Sequence, residues 1–255
     1  MTADLSRRAV LGSLLAAPAL LSGCKVFDGL SAVDHPVRNL MEGTNRLTHA
    51  TQRLVAGDSL APEYARSDIR QGMRPNGTTN PEDAEYQALA ANGFADWRLQ
   101  VTGAVERPLS LSLADLRAMP SRTQITRHDC VEGWSCIAEW TGVQLSRVLA
   151  EARPTPEARF LVFRSMDTME RSLAGLVRYW ESHDLREAMH PQTILAYGMN
   201  GAALPVRNGA PLRLRVERQL GYKMPKYLSA IEVVPALTDK GGYWQERGYD
   251  WYAGI

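Results

Sequence analysis

The chain has 255 residues, of which 45% are hydrophobic and 22% charged, and its formal net charge is +1. This is the composition of an ordinary globular protein, with enough apolar residues for one large domain or two small ones. The near-neutral charge gives no indication of a nucleic-acid-binding surface, so we expect no nucleic-acid partner. No run of residues approaches the ~20 apolar positions that a membrane-spanning helix needs.

The first 24 residues have the layout of an export signal. Arg7 and Arg8 precede an apolar run from Ala9 to Leu21, which is too short to span a membrane stably and is followed by small residues. The arginine pair resembles a twin-arginine signal. Leu21-Ser22-Gly23-Cys24 resembles a bacterial lipobox, in which Cys24 would be acylated and would tether the protein to the membrane. The alternative is a buried N-terminal helix. We expect a periplasmic location, with a membrane anchor if Cys24 is lipidated.

Residues 25–75 are expected to form an N-terminal extension of helix and loop. Over residues 25–60 apolar residues recur at near-helical spacing, which predicts a helix. Residues 61–82 are rich in Pro, Gly and Asn, which predicts a loop. The recurring apolar residues are Val37, Leu40, Met41, Leu47 and Leu54.

The remaining residues, 76–255, are expected to form one mixed α+β, β-rich domain. Residues 82–93 predict a helix ended by Gly93, and residues 141–154 an amphipathic helix with Thr141 as N-cap. Asn200-Gly201 predicts a hairpin turn, whereas residues 172–180 fit a helix or a strand. Strands are predicted at 97–105, 123–130, 158–165, 211–217 and 227–235, and a strand or turn leading into a short helix at 107–120. No G-x-G-x-x-G follows a strand, so a nicotinamide-binding fold has no support.

Two of the three cysteines, Cys130 and Cys136, lie six positions apart. A disulfide is an option in an oxidising compartment, although the loop that it would close is very small. Two buried thiols are the plainest interpretation. A zinc site has weak support, because there is no C-x-x-C or H-x3-H and His128 is awkwardly placed. These residues alone leave the alternatives open.

The segment "RHDCVEGWSCIAEWTGVQL" resembles the metal-binding segment of the sulfite oxidase family of molybdopterin enzymes. It is most similar to the bacterial periplasmic branch that includes methionine sulfoxide reductases. The resemblance implies that Cys130 is the single thiolate bound to molybdenum, followed by Trp134, Trp140 and Gly142 at matching positions. Cys136 falls where the family tolerates an apolar residue, which favours a structural thiol. We further hypothesise that Trp134 packs near the metal and limits access to it.

A second segment, "LPVRNGAPLRLRVERQLGYKMPKYLSAIEVV", resembles the pterin-binding segment of the same family. The cofactor ends in a phosphate, which the planar fork of Arg213 and the ammonium of Lys226 suit chemically. Asn208 can both donate and accept hydrogen bonds to the polar edge of the pterin. The contacts implied by the resemblance to Mo-molybdopterin are Asn76, Ser165, Asn208, Arg213, Met224, Pro225 and Lys226.

The sequence departs from the animal and plant sulfite oxidases in two respects. Those enzymes carry arginines just after the cysteine, whereas this chain has Gly133, Trp134 and Ser135. A sulfite pocket is therefore doubtful, although Arg127, His128 or Arg164 could supply charge. The chain also shows neither an immunoglobulin-like dimerisation domain nor a C-x-x-C-H haem motif. We therefore expect a separate electron-transfer protein, either a membrane haem protein or a cytochrome c.

These observations predict an exported molybdopterin-dependent oxidoreductase with the sulfite-oxidase-type α+β core. The resemblance implies two-electron oxo transfer at molybdenum, with a sulfoxide or a similar S- or N-oxide as the substrate to be reduced. Dehydrogenation of sulfite or another small sulfur anion is the second hypothesis. A third, of another class, is a cofactor-free periplasmic interaction protein on the same fold.

Overall fold

The computed structural model describes residues 36–70, 72–172 and 175–255. The predicted export signal and Cys24 lie outside the described residues. The described chain belongs to two compact units, which divide between Val55 and Ala56. The predicted boundary between residues 75 and 76 stays a prediction.

The first unit contains the helix α1, Pro36–Ala56, which extends by one residue into the second unit. The helix agrees with the near-helical spacing of apolar residues in this segment. Met41, Leu47 and Leu54 nevertheless have exposed side chains. Among the described residues, no helix combines the length and the apolar character needed to cross a membrane.

Among its described residues, the second unit contains short helices and ten strands. The helices are α2 Ala84–Ala91, α3 Leu113–Ala118, α4 Leu145–Ala152 and α5 Leu185–Met189. The strands are β1 Arg98–Gly103, β2 Leu109–Ser112, β3 Ser121–Asp129, β4 Ser135–Gln144, β5 Phe160–Ser172, β6 Gly175–Asp184, β7 Ile194–Met199, β8 Ala202–Ala203, β9 Arg213–Arg215 and β10 Leu228–Val234. This β-rich composition confirms the predicted mixed α+β class.

The strands form two sheets that share one large hydrophobic core. The first sheet has the order β2-β1-β10-β5-β6, and the second has the order β3-β4-β7-β8 with β9 also paired to β7. Only the β1–β10 pairing is parallel among the described strand pairs. The shared core includes Leu99, Phe163 and Ile231 of the first sheet and Val143 and Leu195 of the second.

Most predicted elements are present with shifted ends. The undecided segment at residues 172–180 lies largely in β6, paired antiparallel with β5. The predicted hairpin turn is confirmed, because Asn200 and Gly201 connect β7 and β8 with φ values of 51° and 78°. The predicted strand or turn at residues 107–120 is β2 followed by α3, with a capping box formed by Ser112 and Asp115.

The prediction that Thr141 caps a helix is wrong. Thr141 lies inside β4, and its Oγ1 is 2.9 Å from Oγ1 of Thr123 on β3. The helix α4 starts only at Leu145, and Gln144 precedes it without a capping bond from its side chain. Pairing of β4 with both β3 and β7 keeps residues 141–144 extended. This tertiary pairing outweighs the local helix signal.

Gly142 is where β4 and β7 come closest. A Cβ atom built at Gly142 would lie 2.1 Å from the backbone oxygen of Leu195, which cannot move without breaking the sheet. We therefore expect Gly142→Ala to lower the free energy of unfolding by about 3 kcal/mol or more. Chemical denaturation followed by circular dichroism measures this loss.

Gly198→Ala is the matched control, because Gly198 lies on β7 opposite Thr141. A Cβ atom there would come no closer than 3.2 Å to its neighbours. We expect it to cost about 1 kcal/mol. Equal losses in the two variants would contradict the assignment of Gly142 as the point of closest approach.

Candidate active site

Cys130 lies in the tight turn of the β3–β4 hairpin. The backbone N–H of Cys130 donates to the carbonyl of Trp134 at 2.9 Å, and Gly133 N–H donates back to the carbonyl of Cys130 at 3.0 Å. Gly133 has a φ of +84°, which a three-residue hairpin loop requires at its last position. The thiol is therefore fixed at the end of two paired strands.

Cys130 and Cys136, the two cysteines that the structure describes, are both free and buried. Cys136 belongs to a small hydrophobic cluster with Ala138, Trp140 and Met199, whereas Cys130 belongs to neither hydrophobic cluster. This arrangement fits a structural thiol at Cys136 and leaves Cys130 for chemistry. Burial raises the pKa of both thiols. A metal that binds the Cys130 sulfur would have to displace its proton.

The pterin-segment residues lie together at a second place, around Arg213. Its Nη1 donates to the carbonyl of Asn208 at 2.9 Å. Gly209 lies between Arg213 and Lys226, since a Cβ atom there would be 3.2 Å and 2.9 Å from their Cβ atoms. Lys226 Nζ donates to the carbonyl of Asn76 at 2.6 Å, which brings the early loop to the same site.

Ser165, Met224 and Pro225 complete this group. Ser165 on β5 is opposite Leu228 of β10, and Leu228 follows Lys226 by two residues in the sequence. Met224 is buried, and the carbonyl of Pro225 accepts from Leu214 N–H at 2.9 Å. The structure thus gathers all seven residues that the resemblance implies as cofactor contacts. Their roles toward the cofactor stay predictions.

Several buried polar atoms of this site have no hydrogen-bond partner among the described residues. They include Nε and Nη2 of Arg213, Nδ2 of Asn208 and Oγ of Ser165. Arg213 is fully buried and Asn208 is 3% exposed. Buried donors without acceptors are costly, so a ligand with acceptor atoms is expected here. A phosphate has only acceptors, and the residues present therefore fit the phosphate end of molybdopterin.

The electrostatics of the site agree with an anionic ligand. Burial, together with the nearby Arg213 cation, lowers the pKa of Lys226 to about 7, although Asp167 opposes this shift. Burial and Arg215 likewise lower the pKa of Arg213 to about 9. Each shift reports a positive charge that is poorly compensated by the protein alone. A bound anion would reverse both shifts.

Asp167 is a site residue that the sequence reasoning missed. It lies on β5 two residues after Ser165 and is 6% exposed, and its Oδ1 has no partner among the described residues. Burial raises its pKa, while Thr78 and Lys226 oppose that effect. Strand alternation starting from Ser165 could have indicated it. A carboxyl group here adds an acceptor to a site otherwise rich in donors.

A chain of buried side chains connects the cation site to the cysteine hairpin. The guanidinium groups of Arg213 and Arg215 lie 4.8 Å and 4.4 Å from the ring centroid of Trp140. Arg215 also forms a fully buried ion pair with Glu217, and its Nη1 lies 2.8 Å from Nδ1 of His128. His128 is two residues before Cys130, so the two sites are neighbours.

His128 is held in one neutral form by this contact. Arg215 can only donate, so Nδ1 of His128 accepts and the ring proton resides on Nε2. Burial, together with Arg215, Arg213 and Lys226, lowers the pKa of His128 well below its ordinary value. Its burial and the contact with Arg215 thus oppose a positive charge on His128. Its Nε2 is buried and has no partner among the described residues.

Comparison with known proteins shows the family of the chain. A family profile described as the oxidoreductase molybdopterin binding domain matches residues 87–244. The chain belongs to this family. It is a molybdenum-dependent oxidoreductase of the sulfite oxidase type, and its cofactor is Mo-molybdopterin.

Curated relatives support the same membership of the molybdopterin oxidoreductase family. A protein of Azospira oryzae, provisionally named protein-methionine-sulfoxide reductase subunit YedZ1, is 35% identical over 99% of this chain and 87% of that protein. The MsrP catalytic subunit of Campylobacter jejuni is 39% identical over 57% of this chain and 52% of its own. The MsrP of Xanthomonas axonopodis is also 39% identical, over 57% and 47%. The matches thus span about half the length of these MsrP relatives.

A solved structure of the same general type is the sulfane dehydrogenase SoxCD from Paracoccus pantotrophus. It has 26% sequence identity and a TM-score of 0.50, and the match covers 56% of this chain and 39% of that one. The shared architecture agrees with the predicted sulfite-oxidase-type core.

The pKa of Lys226 predicts how the free energy of unfolding of the cofactor-free molybdopterin oxidoreductase depends on pH. Because the folded pKa of about 7 is below the ordinary 10.5, the unfolded chain binds more protons between these values. The destabilising contribution of Lys226 is thus full below pH ~7 and is lost as the pH rises toward ~10. We expect Lys226→Met to be relatively more stable than wild type at pH 6, with the difference shrinking toward pH 10. Urea unfolding across this range measures the difference.

Lys240 is the matched control, because it is exposed. Lys240→Met should leave the pH profile of the free energy of unfolding unchanged. A wild-type profile that runs parallel to that of Lys226→Met at every pH would contradict the assignment of a depressed pKa to Lys226.

Proposed function

We propose that the chain is the catalytic subunit of an exported reductase for methionine sulfoxide or a similar S- or N-oxide. One observation carries this proposal: a free, buried thiol at a fixed hairpin turn neighbours a buried site of cations and unpaired donors. The thiol can act as a soft ligand of a metal, and the unpaired donors can bind a phosphate. The two sites are connected through His128 and Arg215. A cofactor-free interaction protein would have no need for buried donors that the protein leaves unpaired.

Each residue would act on the cofactor through ordinary contacts. Cys130 would ligate the molybdenum, and Arg213, Asn208 and Lys226 would hold the phosphate. Asp167 would accept hydrogen bonds from donors of the pterin. When bound, the cofactor supplies the two-electron oxo transfer. Reduction of a sulfoxide consumes two electrons and two protons and releases water.

The surroundings of the cysteine favour an uncharged substrate. Two cations close to the cysteine are already paired, Arg127 with Asp129 at 2.9 Å and Arg74 with Glu132 at 4.0 Å. His128 is neutral, as argued above. A sulfoxide carries no net charge, whereas sulfite is an anion that needs uncompensated positive charge. The names of the MsrP relatives, which specify methionine sulfoxide, support the same choice.

Oxidation of a small sulfur compound is the second candidate. The likeness to the sulfane dehydrogenase SoxCD favours it. Arg164 is the cation that this hypothesis would call on, but it pairs with Glu232 at 3.5 Å and lies over the ring of Trp180. We therefore rank oxidation below reduction.

A separate electron donor and a periplasmic location are part of the proposal. The relatives YedZ1 and MsrP are named as subunits, which supports a separate partner subunit. A membrane haem protein or a cytochrome c is the partner that we propose. The export signal supports the location.

Changing both Arg7→Lys and Arg8→Lys should leave the enzyme in the cytoplasm, measured by cell fractionation. Enzyme that still reaches the periplasm would contradict a twin-arginine route.

The two cysteines should respond differently to substitution. Cys130→Ser should abolish turnover, because it removes the thiolate that the proposal places on the metal. Cys136→Ala should retain most activity, because it removes one sulfur from an apolar cluster. Activity assays beside molybdenum analysis of both purified variants measure this. Equal loss in both variants would indicate a disulfide or a purely structural role.

Assays in both directions distinguish the two enzyme candidates. We expect the enzyme to convert methionine sulfoxide to methionine with a reduced dye as electron donor. Oxidation of the dye measures the rate. Sulfite with an oxidised acceptor should give at most a small fraction of that rate. Cys130→Ser serves as the blank in each assay. A faster reaction with sulfite would establish the second candidate instead.

A further inference from the structure

The helix α1 exposes apolar side chains to solvent. Met41, Leu47, Leu54 and Val55 are 56%, 68%, 85% and 80% exposed. Isolated exposed leucines need no explanation, but several on one helix do. These side chains play no part in the proposed reaction.

The exposed apolar residues of α1 lie on one side of the helix. Leu47 and Leu54 are seven positions apart and therefore share a face. Val55 and Met41 extend the same side. Thr44, Thr48 and Thr51, which are also exposed, fill the remaining positions of this side. We call the four residues Met41, Leu47, Leu54 and Val55 the apolar stripe.

The rest of α1 is polar and basic. Within Pro36–Ala56 the sequence contains Arg38, Arg46 and Arg53 and a single acidic residue, Glu42. Arg46 is exposed and directly precedes Leu47, so it lies on the other side of the apolar stripe from Met41. A helix with exposed leucines on one side and an exposed arginine on the other is the kind that lies in a membrane interface.

We propose that α1 binds the surface of an anionic phospholipid bilayer, with the apolar stripe at the boundary of the acyl chains. The basic residues complement the negative charge of the lipid headgroups. α1 would lie along the membrane rather than cross it, which agrees with the absence of a spanning helix among the described residues.

The position of Cys24 in the sequence agrees with binding of α1 to a membrane surface. Eleven residues separate Cys24 from Pro36. Fully extended, they reach at most ~40 Å. If Cys24 is lipidated, α1 is therefore confined near the surface that holds the anchor. The proposal itself does not require the lipid.

The experiment uses a fluorescent reporter on α1 to detect contact with a bilayer. An environment-sensitive fluorophore is attached through Leu47→Cys in the full-length holoenzyme. The labelling of the wild-type cysteines is measured separately and subtracted. We expect a blue shift on adding vesicles of equal parts phosphatidylcholine and phosphatidylglycerol, and little shift with phosphatidylcholine alone. Leu176→Cys is the control, because Leu176 is an exposed leucine of the second unit at 48% exposure, and it should give no shift.

Two further variants test the two parts of the contact. Leu54→Gln should weaken partitioning of the labelled helix about tenfold or more. Arg46→Gln should weaken it about fivefold on the anionic vesicles, and added salt should have the same effect. Circular dichroism confirms that both variants fold.

Several outcomes would overturn the proposal. They are no shift at position 47, an equal shift at position 176, or an equal shift with phosphatidylcholine alone. A shift that depends on protein concentration without vesicles would indicate that a second copy of the chain covers the stripe. Loss of catalytic activity has no bearing on these measurements, so failure here is distinct from failure of the proposed function.

Discussion

Burial of positive charge that the protein compensates only in part is the constraint around which the site is organised. Arg213 is fully buried and keeps two donor groups unpaired among the described residues, and Lys226 is held between backbone carbonyls. In the cofactor-free chain this arrangement is unfavourable, as the lowered pKa values of both groups show. An anion bound at Arg213 and Lys226 would relieve this cost. Cofactor binding and stability of this region are therefore linked.

The fold supplies the rigidity that such a site needs. Arg213 begins the short strand β9, whose three residues are all buried. Arg215 on the same strand differs from Arg213 because Glu217 neutralises it. One cation is thus structural and fixes His128, while the other keeps its donors for a ligand. The difference arises from a single carboxylate two residues away.

Much of the fold and the site followed from sequence because the informative residues act locally. Asn200-Gly201 and Gly93 specify turns by backbone conformation, and these predictions held. Thr141 misled because the pairing of β4 with two other strands is a tertiary effect that no local pattern reveals.

The buried arginines show the same limit. In the sequence the alternation of Arg213 and Arg215 is that of a solvated strand face. In the structure both faces of β9 are covered, which depends on the sheet arrangement. The resemblance to the family pointed to Arg213 by motif, but Asp167 and the role of Arg215 needed the packing.

The hairpin formed by β3 and β4 determines how the thiol of Cys130 is kept in place. Side chains alternate between the two faces of a strand, so slipping the hairpin by one residue would exchange the faces of every residue in it. His128, which shares a face with Cys130, would then turn away from Arg215, and Cys130 would turn with it. Nine consecutive residue pairs, from Ser121 opposite Val143 to Asp129 opposite Ser135, hold the alignment. The position of the Cys130 sulfur is thus set by the whole length of the hairpin rather than by its immediate neighbours alone.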